Sequence, residues 1–496
     1  MTQPSRIARW AGVAATLLAL SCTDPPASRP NVLVLLGDTV RADRMGVYGY
    51  EHDTTPHIDA FAKGARVFER ASSPAPWTLP SHASLFTGLD VSAHHTDRPG
   101  RRLAPGETTM AEAFRAAGYD TYAFTANPWI ADRTGLTQGF DLVEHAWDER
   151  WSGEIRERIA ARLVPGDVNA GRLKTLVDGE AQWAYQVAGD TARRAFLAWL
   201  DGRGDHRPFF AFINYMEAHA TRLPSADARA RLVEPDLDRH SLQVPQTVGA
   251  AVAWMAGAHR YDERDLEALG AVYDASLSDW DESIGTLLDD LERHGLLDDT
   301  IVVITADHGE SLGEHGRIGH QFNVHQSVTH VPFLVRYPAR VRAGRVAEAV
   351  STAELFSIVS EIADLELAPR DAARLEKASR RRAGIALTEY PATHPSELAQ
   401  LRRHAPENIR SFERTYVAIE HDGWRLIEGS DGSVELYDVT RDPGETRDVA
   451  SAHPDRVDAL RARVPRRATK AAGTRARPID PAARRRLEAL GYVGED

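Results

Sequence analysis

Two continuously apolar runs, residues 32–36 and 301–305, stand far apart in the chain, and each leads straight into metal-binding side chains: NVLVLLGDT at 31–39 and IVVITADHG at 301–309. Such runs, partly β-branched and bounded by Gly and Asp, read as parallel strands buried on both faces. In open α/β sheets, ligands gather beyond the carboxyl ends of such strands. A sheet that sets these two strands together therefore groups Asp38, Asp307 and His308 around one divalent cation, with two carboxylates and an imidazole as ligands.

A third piece lies between them in PWTLPSHASLFTGL, residues 76–89. Pro80 suits a first helical turn and Thr78 stands just before it, at or near the N-cap, so a helix is predicted over 80–87. Its free amides and dipole make an anion site beside the Thr78 hydroxyl, suited to holding a tetrahedral oxyanion while that hydroxyl attacks. A cation touching the same oxygen would lower its pKa, which makes Thr78 both a candidate nucleophile and a candidate fourth ligand.

With these residues in place the chain resembles the sulfatase branch of the alkaline phosphatase superfamily. The matching segments are residues 37–88, ADHGESLGEHGRIGH at 306–320, and WRLI (424–427) with VELYDVTRDPGETRDVA (434–450), in the family's order and spacing. The resemblance implies an α/β fold, a sulfatase-like sandwich with a large mixed, mainly parallel sheet flanked by helices, plus a small C-terminal antiparallel subdomain. It implies one divalent metal ion, Ca²⁺, Mn²⁺ or Zn²⁺, held by Asp38, Asp307, His308 and the Thr78 oxygen. Thr39 stands where the family has a second aspartate and would be a weak ligand at best. Glu217-Ala218-His219 resembles the family's Asp-Pro-His turn, making His219 a candidate for contacting substrate oxygen or protonating a leaving group, and His320 lies near a family substrate-binding Lys or His.

The family signature is Cys or Ser, any residue, then Pro-Ser-Arg, with the first residue oxidised to formylglycine. Here the frame reads Thr78-Leu79-Pro80-Ser81-His82. Threonine carries a methyl group on Cβ and would give a ketone rather than an aldehyde hydrate. The resemblance therefore points to a Thr nucleophile of the kind used by phosphoglycerol and phosphoethanolamine transferases, and by two-metal phosphodiesterases of the superfamily. His82 replaces the permanent charge of the family's Arg, and Thr125-Ala126-Asn127-Pro128-Trp129-Ile130 stands where the family has Gly-Lys-Trp-His-Leu-Gly, so that the Lys and His are gone and Asn127 offers a neutral hydrogen-bond donor; His82 and Asn127 are candidate substrate-binding residues. The expected activity is cleavage of an anionic ester: phosphodiester, phosphonate or sulfate. The alternatives are a sulfatase acting without formylglycine and a non-catalytic module that holds anionic glycans.

At 496 residues the chain suits a large α/β core with a smaller appendage, and a formal net charge of −13 gives no support to nucleic-acid binding. Arg6 and Arg9 precede an apolar stretch at 10–20, too short to span a bilayer but the length of a signal-peptide core, and it ends at Cys22, the only cysteine. Cys22 resembles a bacterial lipobox cysteine, so the chain is expected at the cell envelope, lipid-anchored in the periplasm or outer membrane, or else secreted. The anionic substrate would then be an envelope glycan or lipid. The organisation reads as a signal segment (1–22), a tether (23–29), a catalytic domain (30–368), an antiparallel subdomain (384–450) and a basic helical tail (451–496). Residues 221–263 read as mixed loops, an insertion after His219 placed to shape substrate access.

Overall fold

The computed structural model describes residues 29–169, 185–204, 207–393, 395–404, 409–464 and 474–489. The expected signal segment, with Cys22, and all but the last residue of the tether lie outside the described residues. Among those described, no helix is long and apolar enough to cross a membrane.

The main sheet has eight strands: β1 (Asn31–Gly37), β2 (Arg66–Phe68), β3 (Asp120–Thr125), β4 (Leu142–His145), β5 (Phe209–Tyr215), β6 (Thr300–Ala306), β7 (Phe333–Arg336) and β8 (Gly344–Val346). Their order is β8-β2-β7-β6-β1-β5-β3-β4. Five consecutive strands, from β6 to β4 at the edge, run parallel, and β7 is antiparallel to both its neighbours. The two apolar runs of the sequence are thus direct neighbours, with Gly37 level with Ala306 on one side and Tyr215 on the other. Every residue of β5 and β6 is buried, as a sheet covered on both faces requires.

Two helices pack against this sheet and shape its carboxyl edge. α1 (Thr78–Thr87) is buried along its whole length and ends at Gly88, whose φ of 70° lets its N–H close on the Ser84 carbonyl. α2 (Glu263–Arg293) starts at a capping box between Asp262 and Asp265 and lays a buried stripe that includes Tyr273, Leu277, Trp280 and Leu287 against the core. Trp280 approaches so closely that a Cβ on Gly37 would lie 2.9 Å from its ring and 2.5 Å from Val40. Glycine at the end of β1 is what lets helix and sheet meet there.

The smaller sheet is a meander of β9 (Ala386–Tyr390), β10 (Tyr416–His421), β11 (Trp424–Gly429) and β12 (Val434–Asp438). Asp422 and Gly423, both at positive φ, close the two-residue hairpin between β10 and β11, as the Asp-Gly pair demands. Its inner face packs Ile419, Leu426 and Leu436 against Val457 and Leu460 of the helix Pro454–Arg461. An ion pair between half-buried Arg70 and buried Glu420, at 2.6 Å, ties this sheet to the main body.

The segment 221–263 is not a set of loops. It forms three short helices, Ala226–Leu232, Pro235–Ser241 and Val248–Met255, begun respectively by the Ser225 side chain, by Pro235 in the first turn, and by the Thr247 side chain. Each spans about two turns, too short for a 3.6-residue period to stand out from the polar sequence around it. The C-terminal tail is helical at Pro481–Ala489, but around Arg475 it is extended and bridges to Arg101.

Candidate functional site

The carboxyl ends of four parallel strands converge: β1 delivers Asp38, β6 Asp307 and His308, β5 the turn to His219, and β3 Asn127. The Asp38 N–H donates to the Tyr215 carbonyl at 2.8 Å, so the chain leaves β1 pinned to the end of β5. One carboxylate oxygen of Asp307 accepts from the His308 N–H at 2.9 Å and the Thr39 N–H at 3.3 Å. Ser73 and Ser81 both donate to the Asp307 carbonyl, which couples the first turn of α1 to the end of β6.

Three atoms are left facing one another. Among the described residues, Asp38 Oδ1, Asp307 Oδ2 and His308 Nε2 are buried and find no hydrogen-bond partner. Ligand atoms of these three residues lie within 4.8 Å of each other, with His308 Nε2 at 3.3 Å from Asp307 Oδ2 and 4.0 Å from Asp38 Oδ1. His308 Nδ1 is 2.9 Å from the Gly309 carbonyl, and since a carbonyl only accepts, Nδ1 carries the proton and Nε2 turns a lone pair toward the two carboxylates. Burial pushes Asp38 up to about 7 and His308 down to about 3, while Asp307 is raised well above the usual carboxylate range by burial and then by Asp38. The oxygen and imidazole donors of this cluster fit a divalent cation.

Thr78 is the first residue of α1, and no side chain caps the helix at Trp77. Its hydroxyl lies 3.2 Å from the Asn127 amide nitrogen, which also donates to Asp38 Oδ2 at 2.7 Å. Asn127 is itself held from two sides: its N–H and that of Ala126 donate to the Asn214 side chain, while its own side-chain oxygen accepts the Trp129 N–H. Asn127 therefore links nucleophile candidate and ligand candidate without adding charge.

The remaining candidates surround this centre. His82, one turn along α1, points Nδ1 at the Thr78 carbonyl (2.9 Å) and toward Asp307 (3.6 Å), and its ring packs on Phe86 and Phe212. Burial pushes its pKa down to about 4. His82 thus supports the Asp307 side of the cluster from within the core. The His320 ring lies tilted against His308, with centroids 4.4 Å apart, and the His219 ring lies 5.7 Å from that of His320. Burial first and His320 second push His219 down to about 3. The Thr39 hydroxyl donates to the Asp38 carbonyl at 2.7 Å, so it is spent on its own backbone.

Thr39 also adopts φ of 59°, a conformation costing a β-branched residue about 1–2 kcal/mol. The compensation comes from Tyr273 on α2, whose hydroxyl donates to the Thr39 carbonyl at 2.8 Å and accepts the Arg41 N–H at 2.9 Å. The Arg222 guanidinium lies 4.9 Å over that ring, donates to the Ala218 carbonyl at 2.8 Å and pairs with Glu310. Tyr273 and Arg222 thereby join the loops carrying Asp38, His219 and His308. Neither stands in a motif of its own, and nothing local in the sequence marks them.

The buried cluster of two carboxylates and an imidazole, beside the Thr78 hydroxyl on α1, is the candidate site of the chain. The Sulfatase family model matches residues 30–365. Arylsulfatase K of Bos taurus is 22% identical over 87% of this chain and 80% of its own length. Among solved structures, phosphonate monoester hydrolase of Agrobacterium radiobacter superposes with a TM-score of 0.64 at 20% identity, over 91% of this chain and 100% of that one. A second, in complex with its substrate D-glucosamine-2-N,6-O-disulfate, gives 0.63 at 17% identity over 88% and 96%. The chain belongs to the sulfatase family and is an ester hydrolase of that superfamily.

Proposed function

We propose that this enzyme is a metal-dependent hydrolase or transferase in which the Thr78 hydroxyl attacks the sulfur or phosphorus of an anionic ester. The observation carrying this reading is the Asn127 amide, which reaches the Thr78 hydroxyl and the Asp38 carboxylate with one NH₂ group. A tetrahedral centre placed against Thr78 sets its non-bridging oxygens at the start of α1, where backbone dipoles favour negative charge. The Thr78 hydroxyl gives up its proton to water as the Oγ1–phosphorus bond forms and the bond from phosphorus to the ester oxygen breaks, and His219 or His320, protonated when the anion enters, passes its proton to that leaving oxygen. Both rings are in reach of the cluster, and an incoming anion offsets the burial that otherwise keeps His219 neutral. Water or an acceptor alcohol then resolves the phospho-threonine. Asp38, Asp307, His308 and the Thr78 oxygen are the residues to hold a divalent cation, which when bound supplies charge neutralisation and lowers the pKa of the hydroxyl.

Sulfate esters are the second reading, favoured by the sulfatase names of the relatives. Phosphodiesters and phosphonates are placed first because a threonine cannot supply the aldehyde hydrate, and because a phosphonate monoester hydrolase shares the fold over its whole length. A purely binding role would leave three buried ligand side chains without a use. Purified enzyme assayed on aryl sulfates, phosphate mono- and diesters and phosphonates, each with Ca²⁺, Mn²⁺ and Zn²⁺, tests the order. Phosphodiester or phosphonate turnover above sulfate turnover supports it, and sulfate turnover alone refutes it.

The same proposal places the enzyme at a bacterial envelope, anchored through lipid on Cys22 or secreted, with an envelope glycan or lipid as substrate. Cys22→Ser should shift the protein from the membrane fraction to a soluble or unprocessed form. Equal fractionation of the two forms would leave ordinary secretion.

A further inference from the structure

Although the chain carries a formal charge of −13, one groove gathers four cations, three of which pair with no carboxylate among the described residues. α3 (Pro369–Arg382) sits at the far end of α1. Leu375 fills the space beside Gly88, where a Cβ would come within 2.3 Å of it, and Arg382 donates to the Gly88 carbonyl at 2.9 Å while pairing with Asp90 at 2.7 Å. The inner face of α3 is therefore locked to the helix that carries Thr78.

Its other face presents Arg370, Arg374, Lys377 and Arg381, spaced at four, three and four residues, along a groove of about 280 Å³. This stripe is roughly 16 Å long at 1.5 Å per residue. The two carboxylates in the groove are already engaged, Asp90 with Arg382 and Glu107 with Arg374. Among the described residues, Arg370 donates only to the Gly106 carbonyl, and Lys377 and Arg381 have no hydrogen bond or ion pair. All three are exposed.

We propose that this groove docks a linear glycan bearing sulfate or phosphate esters, and that it holds the polymer whose esters are cleaved at Thr78. Charge complementarity selects the partner, since three uncompensated cations in a row match a repeating anion. The shape selects a chain over a bilayer. The cations line a groove, and none of the exposed large apolar residues among those described, Leu142, Val168 and Ile479, belongs to it. α1, roughly 15 Å long, separates groove and hydroxyl, so docking there is a contact beyond the ester being cleaved. A polymer held at the groove raises the effective concentration of its own esters at the site. That last step rests on the activity proposed above, whereas docking itself does not.

The test uses the full chain with Arg370→Ser, Lys377→Ser and Arg381→Ser combined, and a control with Arg370→Lys and Arg381→Lys. Fluorescein-labelled heparin, a sulfated glycan, is titrated at low and physiological salt, beside phosphatidylglycerol vesicles and a small aryl ester substrate. The expected result is heparin binding by wild type that weakens at least about tenfold in the triple Ser variant, is retained in the Lys control, and falls with salt. Turnover of the small ester stays within about twofold of wild type. No heparin binding by wild type, or binding unchanged in the triple variant, overturns the proposal; so does loss of vesicle binding without loss of heparin binding, which would make the stripe a lipid contact. Absence of small-ester turnover in every form would count against the proposed activity and leave the heparin result standing.

Discussion

The Asn127 amide nitrogen stands 2.7 Å from a carboxylate oxygen of Asp38, two residues brought together from the ends of β3 and β1. Through the same NH₂ group Asn127 reaches the Thr78 hydroxyl. The neutral donor leaves the charge of the buried cluster unchanged while fixing one of its oxygens.

Truncating that link separates positioning from metal retention. Asn127→Ala removes a hydrogen bond to a charged group, worth about 1.5–3 kcal/mol, so kcat/KM should fall about 10- to 150-fold with bound metal unchanged by elemental analysis. Activity within twofold of wild type would show that the bridge has no part in turnover.

Metal retention depends on the carboxylates. Asp307→Asn removes one anionic ligand from a site with two, and it should abolish tight binding of the cation together with activity. Elemental analysis after dialysis reads the outcome; an unchanged metal-to-protein ratio would break the shared site apart.

A titration away from the cluster sets a pH dependence of stability. Burial alone pushes the Glu397 carboxyl from the usual 4.5 up to about 8. Because its folded pKa is the higher one, its contribution is complete below pH 4.5 and is lost as pH rises toward and through 8. Glu397→Gln should therefore match wild type near pH 4.5 and exceed it by at least ~1 kcal/mol at pH 8.5, measured by urea denaturation. Parallel pH profiles for the two forms would contradict the assignment.

Legibility in the sequence depends on how each feature is encoded. Strands β1 and β6 are legible because burial on both faces forces uninterrupted apolar runs, and Asp38 and Asp307 are legible because they end those runs. The hairpin at Asp422-Gly423 is legible because few residue pairs tolerate two positive φ angles. The helices at 226–255 are hidden by their shortness. Asn214 and Tyr273 are hidden for a different reason: they act across the fold, on residues 87 and 234 positions away respectively. Arg222 is hidden likewise, because its ring partner Tyr273 and its ion-pair partner Glu310 come from other elements. His82 is visible as a departure from the family's arginine, but its packing between Asp307 and two phenylalanines is a property of the tertiary structure alone.

The central claim is that Thr78 is the attacking group, and the measurement that tests it most directly pairs intact-mass spectrometry with turnover in Thr78→Ala and Thr78→Ser. Wild type slowed with a poor substrate should carry a phosphate adduct located at Thr78 by peptide mapping, and Thr78→Ser should keep part of the activity because the hydroxyl survives. Thr78→Ala should lose the adduct and at least about 10³-fold in kcat, with metal still held by Asp38, Asp307 and His308. Phosphodiester turnover by Thr78→Ala at the wild-type rate would reduce Thr78 to the first residue of a helix and contradict the mechanism.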